Sequence, residues 1–260
     1  MKRADKINEV LATGTSDEKL RKAAIKAVAE DVVVQILLRN IIGTHGNYLT
    51  NNYGGTCNAC AIGSAIVSEY TMKTRKNFSK GTAFEKALRV LPSNFQPGNM
   101  RDKRANTGKT IFSPLELTRL EDLFESQVLI LKPEFIKEKK RALEEEKEKK
   151  VSESKTIKEI IEGGFDTSDS QDEVRDLDYH ADQSLLTIFS YLASTGGDVQ
   201  KLLERFENGR RPSASQVVKM VEKIASKHRV KSKVTEGSEA CDILTDLKDA
   251  TIVITDERFN

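Results

Sequence analysis

Apolar residues recur along this chain mostly at three- and four-residue spacing, which predicts helices over most of its length. Leu20, Ala23, Ala24, Ala27 and Val28 lead into a run from Asp31 to Leu38 that is apolar nearly all round. The second half of that helix is therefore expected to be buried. Thr15-Ser16-Asp17-Glu18 reads as its capping box, with Thr15 as the cap. The segment from Gly43 to Gly55, rich in Gly, Asn, Thr and Tyr, breaks the pattern and predicts a loop or a short hairpin. A helix is expected from about Asn58 to about Lys73, and a short one behind the capping box Thr82-Ala83-Phe84-Glu85. The stretch from Asn94 to Thr110 reads as an exposed loop. Ser113-Pro114-Leu115-Glu116 combines a Ser cap, Pro at the first helical position and a Glu that closes the box. Leu117, Leu120, Leu123, Phe124 and Val128 continue that helix.

The character changes from Glu134 to Lys150, where charges of both signs alternate as in a solvated bridging helix or coiled-coil arm. Gly163 to Glu173 reads as a flexible acidic linker. Beyond it, Leu177 to Ala193 is amphipathic. A helix from Asp198 to Phe206 stops at Asn208-Gly209, and another runs from Ser213 to Val230 with Val217, Val218, Val221 and Ile224 on one face. Only Ala250 to Thr255 reads clearly as a strand. The expected fold is mainly α, in two parts. Residues 1–131 form a helical domain, 132–173 a charged helix and acidic linker, and 174–260 a smaller helical part with a terminal strand.

Composition adds little to this. Of 260 residues 38% are hydrophobic and 32% charged, and the net charge of +2 names no partner. The distribution of charge says more. Lys73 to Lys109 and Lys201 to Lys233 are basic, whereas Glu153 to Asp182 is acidic. In the first basic stretch Lys73, Arg75, Lys76, Lys80, Arg101, Lys103, Arg104 and Lys109 are interleaved with Asn and Phe, as suits phosphate contacts by loops. The alternatives are a solvated surface or docking onto the acidic segment. In the second, Arg210 and Arg211 occupy a turn between two helices, and Lys219, Lys223, Lys227, His228 and Arg229 follow. That order suits a helix-turn-helix nucleic-acid reader, although the connection is longer than usual, and it equally suits a plain helical hairpin. Three cysteines, no apolar run behind Met1-Lys2-Arg3 and no stretch of membrane-spanning length point to the cytoplasm, without membrane contact.

Cys57-Asn58-Ala59-Cys60 carries the most chemistry. Placed at a helix start, both sulfurs would be favoured as thiolates. Four readings stand: close packing beside Gly63, Ser64 and Ala65; a redox pair; a zinc site; or a nucleophile with His180 as base. Zinc would have to draw further ligands from Cys241, His45, His180 and His228, which lack paired spacing. The redox reading lacks a visible βαβ context, and the nucleophile lacks an Asn partner. No catalytic residue is assigned, and neither cofactor nor metal is expected.

Three patches carry a resemblance. They are Ala29-Glu30-Asp31-Val32-Val33 with Gly46-Asn47-Tyr48, Cys57-x-x-Cys60-Ala61-x-Gly63-Ser64-Ala65, and Phe112-Ser113-x-x-Glu116-Leu117 with Leu120-Glu121-x-x-Phe124-Glu125. Their order and spacing resemble a family of small uncharacterised phage and bacterial proteins with a C-x-x-C-A-x-G-A segment. Ser64 and Leu123 depart from that pattern, and the second half of the chain is not covered. The resemblance implies a shared domain and a phage or mobile-element origin. The function expected is that of a non-enzymatic accessory protein that binds a host or viral macromolecule. Nucleic-acid binding through residues 73–109 and 201–233, or a cysteine-dependent enzyme, are the alternatives.

Overall fold

The computed structural model describes residues 3–45, 49–51, 56–74, 110–131, 137, 141, 172–230, 236–254, 256 and 258. The protein is mainly helical, with eight helices and five short strands among the described residues. No described helix is long and apolar enough to cross a membrane. The Thr82 capping box, the 94–109 loop, most of the 134–150 helix and the linker up to residue 171 lie outside the described residues.

Helix α1 (Arg3–Thr13), unforeseen in the sequence, buries Val10 and Leu11 and ends at Gly14, which has φ +77°. Helix α2 (Glu18–Leu37) is capped by Asp17, not Thr15. The Asp17 carboxylate accepts from Lys19 N and Leu20 N, while Thr15 Oγ1 accepts from Asp17 N at 3.1 Å. As expected, its second half is buried, continuously from Val28 to Leu37. The helix closes with Asn40 N donating to Gln35 O at 2.9 Å and Arg39 in the left-handed region at φ 58°.

The Arg39 side chain joins two carboxylates. Its Nη1 lies 2.5 Å from Asp182 Oδ2 and its Nε 2.7 Å from Glu239 Oε2.

A three-stranded sheet is built around the region expected to be a loop or hairpin, and its last strand takes the expected start of the Asn58 helix. β1 (Ile41–Gly43) pairs in parallel with β3 (Cys57–Ala59), and β2 (Leu49–Asn51) pairs antiparallel on the other side of β3. Helix α3 (Ala61–Thr74) follows, buried from Ala61 to Glu69. Cys57 therefore lies on a strand and Cys60 just before a helix, so the two do not share a first helical turn.

Helix α4 (Pro114–Glu125) has the predicted capping box, with Ser113 and Glu116 satisfying each other's backbone amides. It ends earlier than its spacing suggests: Val128 belongs to strand β4 (Gln127–Leu131). β4 pairs antiparallel with β5 (Ala250–Ile254), setting Gln127 opposite Ile254 and Leu131 opposite Ala250.

Helix α5 (Asp172–Ser194) begins inside the expected linker and is buried from Ala181 to Ala193. It packs against α2 and β1. Two short helices follow, α6 (Val199–Glu207) and α7 (Ala214–Lys227), then α8 (Glu239–Lys248), capped by Ser238. Residues from the segments 1–131 and 174–260 share one hydrophobic core, with Ile25, Val32, Phe112 and Phe124 in the same cluster as Leu185, Phe189, Phe206 and Leu247. Two glycines make close approaches possible. A Cβ on Gly43 would sit 2.6 Å from the backbone carbon of Ala181, and one on Gly197 would sit 2.0 Å from Lys22 O.

Candidate anion-binding site

The CxxC pair is buried chemistry held in its protonated form. Cys57 and Cys60 are both wholly inaccessible. Burial pushes the Cys57 thiol up to about 12. Burial also drives Cys60 well above its ordinary value, and the neighbouring Glu121 carboxylate adds to the effect; the amides of Gly63 and Ile62 pull the other way without prevailing. The thiolate expected from helix-end amides is thus reversed. Glu121 Oε2 accepts from Ile62 N at 3.0 Å, so the start of α3 already has its anion. Among the described residues no group of three or more His, Cys, Asp and Glu is placed to hold a metal ion.

The basic residues divide sharply. Arg75, Lys76, Lys80, Arg101, Lys103, Arg104 and Lys109 lie outside the described residues. Lys73 is committed to the core: its Nζ lies 2.6 Å from Glu69 Oε1. Burial raises the Glu69 carboxyl despite that lysine. Lys227 and His228 are likewise engaged, both against buried Glu30. Arg210 and Arg211 sit together at the edge of an open cavity of about 480 Å³.

The local sequence dictates this arrangement. α6 buries Val199, Leu202, Leu203 and Phe206, which leaves Arg205 exposed beside the stripe. At its end Gly209 adopts φ +65°, Arg210 N donates to Arg205 O at 2.8 Å and Gly209 N to Phe206 O at 3.1 Å, a Schellman closure. The chain then passes through Arg210-Arg211-Pro212 and is caught by the capping box of α7. There Ser213 N donates to Gln216 Oε1 at 2.9 Å, and Gln216 N donates to Ser213 Oγ at 3.3 Å. α7 buries Val217, Val221, Ile224 and Ala225 and turns Lys219 and Lys223 outward.

Tyr191 of α5, only 7% exposed, forms the floor. Its hydroxyl accepts from Arg205 Nη1 at 2.8 Å and donates to Arg210 O at 3.3 Å. The Arg205 Cζ lies 5.6 Å from its ring centroid, and the ring meets Phe206 edge-on at 5.7 Å. Lys219, one helical turn into α7, closes the far wall with Met220. Among the described residues the lining contains four cationic side chains and no Asp or Glu. The two acids of α6 make other contacts: Glu207 pairs with Arg119, and Glu204 accepts from Gln200 Nε2 at 3.0 Å. Burial lowers Arg211 below its usual value. The chemistry on offer is anion recognition, with guanidinium groups as forked donors.

Sequence reasoning singled out Arg210, Arg211 and Lys219 but missed Arg205, Tyr191 and Met220. A tyrosine in the run Leu185 to Ala193, where Thr187 and Ser190 are the other polar residues, was the available signal, because a buried hydroxyl needs a partner. Comparison with protein families, with curated proteins and with solved structures matched nothing.

Proposed function

We propose that this protein is a non-enzymatic accessory protein that binds nucleic acid through phosphate contacts at the α6–α7 turn. One observation carries the reading: Arg205, Arg210, Arg211 and Lys219 converge on one cavity, with no acid among its described lining residues. The two buried, protonated thiols favour binding over cysteine chemistry. The resemblance of the first half to small phage and bacterial proteins supports a phage or mobile-element origin and a working place in the host-cell cytoplasm.

A mobility shift with mixed-sequence DNA and RNA tests this. Binding is expected at low salt and should weaken steeply as salt rises, because each neutralised phosphate releases counterions. Replacing Arg210 and Arg211 by Ala should weaken binding for all sequences alike and flatten the salt slope. No shift at micromolar protein overturns the proposal, and a salt-insensitive shift rules out phosphate contacts.

A further inference from the structure

We infer that the α6–α7 cavity takes the terminal phosphomonoester of a nucleic-acid strand in preference to its internal phosphodiesters. The inference rests on the nucleic-acid reading above. An internal phosphodiester carries one negative charge and leaves two oxygens open, and surfaces that follow a strand spread their cations along it. Here the cations are gathered. Arg205 comes from α6, Arg210 and Arg211 from the turn and Lys219 from α7, so one cavity is approached by charge from three elements. A phosphomonoester carries between about one and a half and two negative charges at neutral pH and presents three acceptor oxygens, and so matches such a cluster better.

The cavity is also built, because Arg205 and the backbone of the turn are held before any ligand arrives. The nearly buried Tyr191 hydroxyl ties Arg205 and the Arg210 carbonyl together, and the Schellman closure and capping box fix the turn on either side. Pro212 and Met220 add a small apolar wall beside the charges, suited to the sugar and base that carry a terminal phosphate. The described lining is made of helices and a turn, with no strand edge among its residues to receive an extended peptide. That favours a strand end over a phosphopeptide.

The test uses the full chain and one single-stranded oligonucleotide in four forms: phosphate or hydroxyl at the 5′ end, and phosphate or hydroxyl at the 3′ end. Binding is measured by fluorescence anisotropy at about physiological salt, roughly 0.15 M. One phosphorylated end is expected to bind at least about tenfold more tightly than its hydroxyl counterpart, as for added charge-assisted hydrogen bonds. Lys219→Ala, on an exposed helix face, should erase most of that preference while leaving the melting temperature unchanged; Arg210→Ala is the second variant. Equal affinity of phosphorylated and hydroxyl ends overturns this inference and leaves nucleic-acid binding standing. Failure of all four forms to bind overturns both. Tighter binding of a phosphoserine peptide than of any oligonucleotide overturns the choice of ligand.

Discussion

The hydroxyl of Tyr191 accepts a hydrogen bond from Arg205 Nη1 at 2.8 Å across fourteen residues of chain, joining the edge of the core to a surface cation. Tyr191→Phe keeps the ring against Phe206 but strands the contacts to Arg205 and the Arg210 carbonyl. Stability should fall by about 1 kcal/mol, the ordinary worth of such hydrogen bonds. Anion affinity should fall as well, because Arg205 is then free to leave the cavity wall. Calorimetry together with an anisotropy titration checks both. An unchanged affinity would mean that Tyr191 serves packing alone.

The thiols offer a sharper separation. Cys57 and Cys60 are inaccessible and held protonated, whereas Cys241 on α8 is part-exposed. Under native conditions a disulfide reagent should modify Cys241 alone, with Cys57 and Cys60 following only on unfolding. Cys57→Ser with Cys60→Ser should destabilise the protein, by burying hydroxyls in place of sulfurs, without altering nucleic-acid binding. Rapid native modification of either residue would restore the cysteine-dependent reading.

Helices with strong caps were legible, as was the strand Ala250–Ile254, whereas the shorter strands were not. Ser113-Pro114 and Ser213 announce their helices because the cap and its closing Glu or Gln are local. Ile41–Gly43, Leu49–Asn51 and Cys57–Ala59 are too short for alternation to show, and they exist only through pairing with one another. Cys57 was misread for that reason: the glycines before it and the small residues after it resemble a helix entry, but β3 intervenes. The anion site was half legible. Arg210 and Arg211 are adjacent in the chain, whereas Arg205, Tyr191 and Lys219 meet them only after three helices have packed.

Gly43 tests the close contact between β1 and α5. A methyl group there would lie 2.6 Å from Ala181 C and 2.7 Å from Asp182 N, both backbone atoms with no side chain to yield. The same glycine donates its amide to Asp182 Oδ1 at 2.6 Å. Gly43→Ala should therefore cost about 1–3 kcal/mol by overpacking, or more if the Asp182 hydrogen bond is displaced. A denaturant midpoint equal to that of the wild type would show that β1 and α5 can move apart freely.

Glu30 sets an acid limit on stability. Its carboxylate sits almost buried in α2 and receives His228 Nε2 at 3.2 Å and Lys227 Nζ. Burial opposes its ionisation, but the hydrogen bonds from His228 and Lys227 outweigh that and hold it down at about 2, against an ordinary 4.5. A folded-state value below the unfolded one stabilises the fold at pH above the unfolded value, and the gain is lost as pH falls from about 4.5 through about 2. Glu69 acts with the opposite sign. Burial raises it, so its contribution favours the fold at low pH and fades as pH rises through its raised value. The two overlap, and only a comparison with a variant isolates Glu30. Glu30→Gln should lower stability at neutral pH, and urea midpoints of variant and wild type should converge as pH drops through that acid window. Parallel pH profiles for the two proteins would show that the α2–α7 ion pair contributes nothing that depends on the charge of Glu30.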